Sequence, residues 1–423
     1  MTPLRNKQNS GYYLFMRVGD STLNNIFEML LDISAPWTWI PDQTCTNCFK
    51  TNIRSKYYDC SSSPKTCFQN KTSPEDTLVY SIGTVQAIGG YDLVQWTGLP
   101  FNSSVNHTLG FGLEVSSNFY SMDADGVFGL GISNSTDNAG LVSIIDTLYN
   151  QGWIANKTFS MFLTFDPDDE DEKSQIKFGG YDVSKIAPGK SFQTFHVSIP
   201  EFWSLPLGGL QVGDAKVTVQ AVNIVPSTTY AGIGVPEDDF SLLLSEFKKQ
   251  NIICELVGSF HDYICPCPES NLAIFPDIGF NIENQVLLLP NTVYMSVLAI
   301  DIKDEDGDIL RRKDHNCVLG FSNLPNGSFN PEFGNPWIFG TSVLRYYYTH
   351  FDMENNTISF AVANEPFIDN SISPSLLITL VAGTVIFLVL GGGWIIYKCT
   401  GIYKKTRGGR VGGAGSSFAY HSL

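Results

Sequence analysis

The chain carries the same pair of elements twice. An apolar strand pattern ends in a short polar turn at Asp32-Ile33-Ser34, and 97 residues beyond Asp32 an apolar-apolar-glycine segment, Val127-Phe128-Gly129, is complete. The pattern returns at Pro226-Ser227-Thr228, and 114 residues beyond Pro226 comes Ile338-Phe339-Gly340. A chain built this way forms two similar lobes, with a cleft where the two turns meet. The lobes read as β structure: YYLFMRV (12–18), LVYSIGTVQAI (78–88), FSMFLTF (159–165), KVTVQAVNIV (216–225) and VLLLPNTVYMSVLAIDI (286–302) alternate or are β-branched, and Gly, Asn, Asp and Pro separate them. Helical periodicity is best over 142–150 and 240–250. The fold class is therefore all-β.

Residues are 43% hydrophobic and 16% charged, with 38 Gly and 21 Pro scattered along the chain, which excludes a disordered or coiled-coil protein. The net charge is −16, and because Lys398, Lys404, Lys405, Arg407 and Arg410 all follow residue 397, the body before them carries −21. Such a body repels a phosphate backbone, so no nucleic-acid partner is expected.

The 22 residues 376–397 hold no charge. At about 1.5 Å per helical residue they reach across the roughly 30 Å of a bilayer's apolar core, which predicts a single C-terminal transmembrane helix. Glu365 and Asp369 precede the run and the basic cluster follows it. The positive-inside rule then puts the tail in the cytosol and the body in a lumen or outside the cell, a single-pass type I arrangement at the cell surface or in an endosome- or lysosome-like compartment. Eight cysteines (Cys45, Cys48, Cys60, Cys67, Cys254, Cys265, Cys267 and Cys317) precede the run, and Asn-x-Ser/Thr sequons begin at Asn70, Asn102, Asn106, Asn134, Asn156, Asn326 and Asn355. An oxidising, glycosylating compartment accounts for both. A zinc reading of Cys45-x-x-Cys48 lacks a second pair and a nearby histidine. The stretch 1–13 is not an apolar secretory segment, so either the gene model has lost its first exon or the chain is a mature form with a chance Met. In the tail, Cys399 is a candidate for palmitoylation, and Tyr420-His-Ser-Leu423 resembles tyrosine-based sorting signals.

The acidic run 166–172 reads as a solvated loop and Asp306-Gly307 as a turn, since a calcium-loop register around Gly307 puts Ile302 at the first ligand position. There is no phosphate-binding or dinucleotide-binding glycine motif, no Gly-x-Ser-x-Gly and no histidine pair at metal spacing. No metal and no organic cofactor is implied.

From Tyr12 to Ala363 the chain resembles the pepsin-like aspartic proteases, peptidase family A1. The resemblance rests on a series of segments in order: YYLFMRVG at the start; LDISAPWTWIP (31–41), where the family has apolar-Asp-Thr-Gly-Ser-Ser-x-x-Trp-Val-Pro; Tyr80 and GGYDLV (89–94) in the flap hairpin; DGVFGLG (125–131); FSMFL (159–163); FGGYD (178–182); CVLGF (317–321); and WIFGTSVLRYYYTHFDMENNTISFA (337–361). It implies a bilobal acid-protease fold with an N-terminal β lobe and flap over 1–189, a C-terminal β lobe over 190–365, then a stalk (366–375), the membrane helix (376–397) and a cytosolic tail (398–423). Each lobe's four cysteines allow three connectivities. Cys45–Cys48 with Cys60–Cys67 is the pairing expected in the first lobe; in the second, Cys317 resembles the family's late cysteine and would take Cys267, leaving Cys254–Cys265.

The resemblance also identifies what departs from it. The family's chemistry uses two carboxylates that share one proton, one activating water while the other donates to the scissile carbonyl. Asp32 lies at the first position, whereas in IVPSTTYAG (224–232) the second reads as Pro226, which has neither an acid nor an N–H. Ser227 and Thr228 then stand for the family's Thr and Gly, with Ile33, Ser34 and Ala35 altered around Asp32. Asp238 and Asp239 follow too late to replace the missing acid and are expected to face solvent. A lone carboxylate titrates near about 4, and loss of one member of a concerted pair costs on the order of 10⁴ in rate. Tyr80 falls at the flap tyrosine and Trp39 at the tryptophan whose indole it contacts, so the substrate-binding aromatics are kept. These features imply a pseudoprotease whose interlobe cleft binds an extended peptide or a partner protein. The alternatives are an active aspartic endopeptidase of an acidic compartment and a purely structural surface scaffold.

Overall fold

The alternating run Tyr12–Val18 is one strand over just those residues, because its inward side chains bury against the strand Ile26–Asp32. We describe the fold from a computed structural model. It describes residues 1–6, 11–19, 25–48, 56–70, 76–80, 83–100, 103–117, 119, 123–132, 141–164, 173–257, 262–298, 302–303, 309–311, 315–325, 334–364 and 371–372.

Within the first lobe a nine-stranded sheet runs from Arg5–Asn6 through Tyr12–Val18, Ile26–Asp32, Gly126–Gly129, Trp39–Pro41, Val105–Val115 and Gly83–Trp96 to Phe68–Gln69, with Asp76–Tyr80 hairpinned onto Gly83–Trp96. The second lobe holds a five-stranded sheet that includes Asn223–Pro226, Trp337–Phe339 and Ile233–Pro236, together with a four-stranded and a further five-stranded sheet. A six-stranded antiparallel sheet takes strands from both halves, ordered Thr2–Pro3, Gln175–Phe178, Thr158–Phe162, Tyr347–Asp352, Thr357–Val362 and Gln193–His196. At its centre Phe159 stacks on Phe351 at 4.7 Å, and Trp203 packs edge-on against both. The fold is strand-rich and bilobal.

Two predicted runs are interrupted for identifiable reasons. KVTVQAVNIV separates into Ala215–Val217 and Asn223–Pro226, because the N–H groups of Gln220 and Ala221 donate to the Asp239 carboxylate instead of to a neighbouring strand. The run 286–302 breaks at Pro290, which ends Gln285–Leu289 and starts one helical turn, Asn291–Tyr294, before Met295–Leu298. Helix α1 (Ile144–Asn150) starts at Ser143, whose hydroxyl accepts the Asp146 N–H and donates to the Asp146 carboxylate. Helix α2 (Glu237–Lys249) begins three residues earlier than its apolar pattern, directly after Pro236, with Glu237, Asp238 and Asp239 at its positive end and Lys248 and Lys249 at the other.

The disulfides join Cys45 to Cys48, Cys60 to Cys67, Cys254 to Cys265 and Cys267 to Cys317. The apolar run 376–397, the tail, the acidic run 166–172 and the turn at 306–307 lie outside the described residues; of the stalk, Ser371–Ile372 pairs with Val297 and Leu298. Among the described residues no helix is long and apolar enough to cross a membrane.

Candidate functional site

The site is built from the duplicated elements. Asp32 ends the strand Ile26–Asp32, which runs parallel to Gly126–Gly129 with Gly129 level with Asp32. A side chain at 129 would collide with the carbonyl oxygens of Ala35 and Trp37, so only glycine lets the loop after Asp32 fold back this closely. In the second lobe Gly340 stands in the same way against the carbonyls of Tyr230 and Gly232. There the strand Asn223–Pro226 runs parallel to Trp337–Phe339 with Pro226 level with Phe339, which brings the next residue, Ser227, level with Gly340. Local hydrogen bonds repeat too: Ser34 N–H donates to Asp32 Oδ1 at 2.7 Å, and Thr229 N–H to Ser227 Oγ at 3.3 Å. Carbonyl contacts, strand level and turn bonds thus relate the two loops by one shift of 195 residues, which carries Asp32 onto Ser227.

One hydroxyl ties the loops together. Thr228 Oγ1 donates to the Leu31 carbonyl at 2.7 Å and accepts the Ile33 N–H at 3.3 Å. Its counterpart by the same shift is Ile33, which has no hydroxyl with which to return the bond. A second tie runs from Trp203 Nε1 to the Leu130 carbonyl at 2.9 Å, just beyond Gly129.

Over Asp32 lies the hairpin Asp76–Tyr80 and Gly83–Trp96, with Tyr80 paired to Gly83 next to its tip. Tyr80 is buried, and its hydroxyl donates to the Trp37 carbonyl at 3.0 Å. Burial, and after it the charge of Asp32, raise the Tyr80 phenol well above its ordinary pKa, so it is a neutral donor at any physiological pH. Phe119 meets Trp39 edge-on at 5.5 Å and Tyr80 edge-on at 6.0 Å, so it stands between the two rings. Trp39, Tyr80 and Phe119 belong to one buried cluster, and the buried Trp39 Nε1 has no hydrogen-bond partner among the described residues. Asp32 itself is fully buried.

A sequence profile of the eukaryotic aspartyl protease family matches residues 11–363. The chain belongs to the eukaryotic aspartyl protease family. It is 26% identical over 366 residues to pepsin A of Gallus gallus, across 85% of this chain and 86% of that one. It is 24% identical over 363 residues to renin-2 of Mus musculus (85% and 81%), and 25% identical over 363 residues to pepsin A of Sus scrofa (85% and 83%).

Against the aspartyl protease pattern, the geometry moves one assignment of the sequence reading. The position matching Asp32 is Ser227, one residue after Pro226; Thr228 then takes the place of the motif's threonine, and Thr229 that of its glycine. Pro226 is the last residue of its strand, and its own missing N–H disturbs nothing there: Ser227 N–H makes the next bond, to the Phe339 carbonyl at 2.9 Å. Asp238 is exposed as expected, but Asp239 is fully buried. Its carboxylate accepts from the Gln220 and Ala221 N–H groups and from Trp337 Nε1 at 2.9 Å, so it is engaged in holding helix α2 to the sheet. Sequence reasoning missed Trp37 and Phe119, because one acts through its carbonyl and the other lies outside any motif.

Chemically, the two described loops carry one carboxylate, at Asp32, and the position related to it holds Ser227 instead of a second acid. Ser227 Oγ lies 3.0 Å from Thr229 Oγ1. A hydroxyl donates or accepts a hydrogen bond but does not ionise in this range, so it cannot share a proton with Asp32 as a paired carboxylate does.

Proposed function

We propose that this chain is a membrane-anchored, catalytically impaired aspartyl protease family member whose interlobe cleft binds an extended peptide or a segment of a partner protein. The observation that carries the reading is the hydroxyl side chain of Ser227 at the position related to Asp32. Fold gives the family, but the reaction belongs to the site, and the two-carboxylate reaction lacks a reacting group here. Retention of the flap, its Tyr80 and the aromatic floor of Trp39 and Phe119 supports binding, because main-chain pairing to an extended ligand needs no catalytic acid. The uncharged run 376–397, the basic residues after it, the four disulfides and the sequons support a type I membrane glycoprotein with a lumenal or extracellular body.

The test is cleavage of a denatured protein by the purified chain between about pH 3 and 7, beside Asp32→Asn. No cleavage is expected from either protein, with equal binding of an extended peptide by both. Cleavage that disappears in Asp32→Asn would establish the alternative, a working endopeptidase, and sink this reading.

A further inference from the structure

Of the four sequon asparagines among the described residues, Asn70 stands apart, its N–H donating to the Gly89 carbonyl, while Asn106, Asn156 and Asn355 lie together. Asn156 stands just before the strand Thr158–Phe162, and Asn355 lies in the turn between Tyr347–Asp352 and Thr357–Val362. Thr158 pairs with Asp352, and the Met353 N–H donates to the Lys157 carbonyl at 3.0 Å, so the backbone on either side of these asparagines runs side by side. Lys157 reaches on to helix α1, with an ion pair to Asp146 at 2.8 Å and its ammonium over the Tyr149 ring. At the end of that helix, Gln151 Nε2 donates to the carbonyl of Asn106 at 2.6 Å. Asn106, Asn156 and Asn355 are all exposed. They therefore border one continuous patch made of the start of strand Val105–Val115, the end of α1 and the Asn355 turn.

This patch is far from the flap. Asn106 pairs with Leu93, ten residues along the strand from Gly83, which pairs with Tyr80. At about 3.3 Å per residue the separation along that strand is roughly 30 Å. We propose that Asn106, Asn156 and Asn355 carry N-linked oligosaccharides that converge into a single sugar-covered face, closing that face to protein partners. The inference rests on the reading that the body of the chain is made in an oxidising, glycosylating compartment.

Convergence has a consequence that occupancy alone does not. Oligosaccharides crowded on one patch shield one another from processing enzymes, so they keep immature, endoglycosidase H-sensitive structures, and removal of one exposes its neighbours. The experiment expresses the full chain in a eukaryotic cell line and maps glycopeptides by mass spectrometry in the wild type, Asn156→Gln and Asn156→Asp. Expected are sugar at all three asparagines and, in both variants, a rise in processed, endoglycosidase H-resistant chains at Asn355. A bare asparagine at any of the three, in protein whose cysteines are paired, overturns the proposal while the lumenal reading stands. Full occupancy with processing at Asn355 unchanged in both variants overturns the convergence. Free cysteines with no sugar anywhere would overturn the lumenal reading itself, and the proposal with it.

Discussion

A hydroxyl at 227 and a carboxylate at 32 cannot divide one proton, and the 195-residue relation between the loops says where the missing acid belongs. Ser227→Asp is therefore expected to bring measurable cleavage of a denatured substrate at about pH 3–5, recovering part of the factor on the order of 10⁴ that a lost dyad member costs. Adding Ile33→Thr should raise it further by returning the bond that Thr228 now makes alone. Pro226→Asp, one residue away, is expected to leave cleavage at background. Equal gains from Asp at 226 and 227 would refute the register. Asp32 and Trp39 were placed from sequence because both sit inside LDISAPWTWIP (31–41), and Tyr80 because it precedes GGYDLV (89–94) in one hairpin. The second loop was legible only to within one residue. Ile224-Val225 has the apolar look of the pair before the family's aspartate, and nothing in Pro-Ser-Thr-Thr marks which residue follows the last ladder bond; the glycine contacts across the fold decide it.

At the scale of elements one side-chain hydrogen bond joins the flap to the loop beyond Asp32. Tyr80 is tied to a backbone carbonyl of the Asp32 loop, so the hairpin is latched to the residues it covers. Tyr80→Phe keeps the ring against Phe119 and removes only this bond, worth about 1 kcal/mol. Backbone hydrogen exchange over 76–96 is then expected to quicken roughly fivefold, with the global unfolding midpoint nearly unchanged. Unchanged exchange in the hairpin would show that the ring, not the bond, holds it. Most elements could be read from sequence because two-residue alternation fixes which face is buried, as in Tyr12–Val18. One misreading is local, the break at Pro290, and another has a long-range cause. The Asp239 carboxylate took the N–H groups of Gln220 and Ala221 out of a predicted strand, and in doing so became a buried residue although its helix position looked solvated.

For the molecule as a whole, buried titratable groups set how stability responds to pH. Among the described residues burial lowers the pKa of His107 and, less deeply buried, of His350. His107 lies under helix α1, its Nδ1 2.9 Å from Thr147 Oγ1 and its Nε2 buried without a hydrogen-bond partner among the described residues. Burial pushes its pKa down to about 3, against about 6.5 in an unfolded chain. Between those values the unfolded chain binds a proton that the folded chain refuses, so this histidine's contribution is fully present above about pH 6.5 and is lost as pH falls towards 3, at up to about 1.4 kcal/mol per pH unit. His107→Gln keeps a polar side chain beside Thr147 and cannot take up the proton. Its stability relative to wild type, from urea unfolding, is therefore expected to improve by roughly 2–3 kcal/mol between pH 6.5 and 4.5, whatever its starting deficit. Carboxylates titrate in both proteins and cancel in the difference. A difference that stays flat across that window would mean His107 is protonated in the folded chain, and that the joint between α1 and its strand opens in acid to admit the charge.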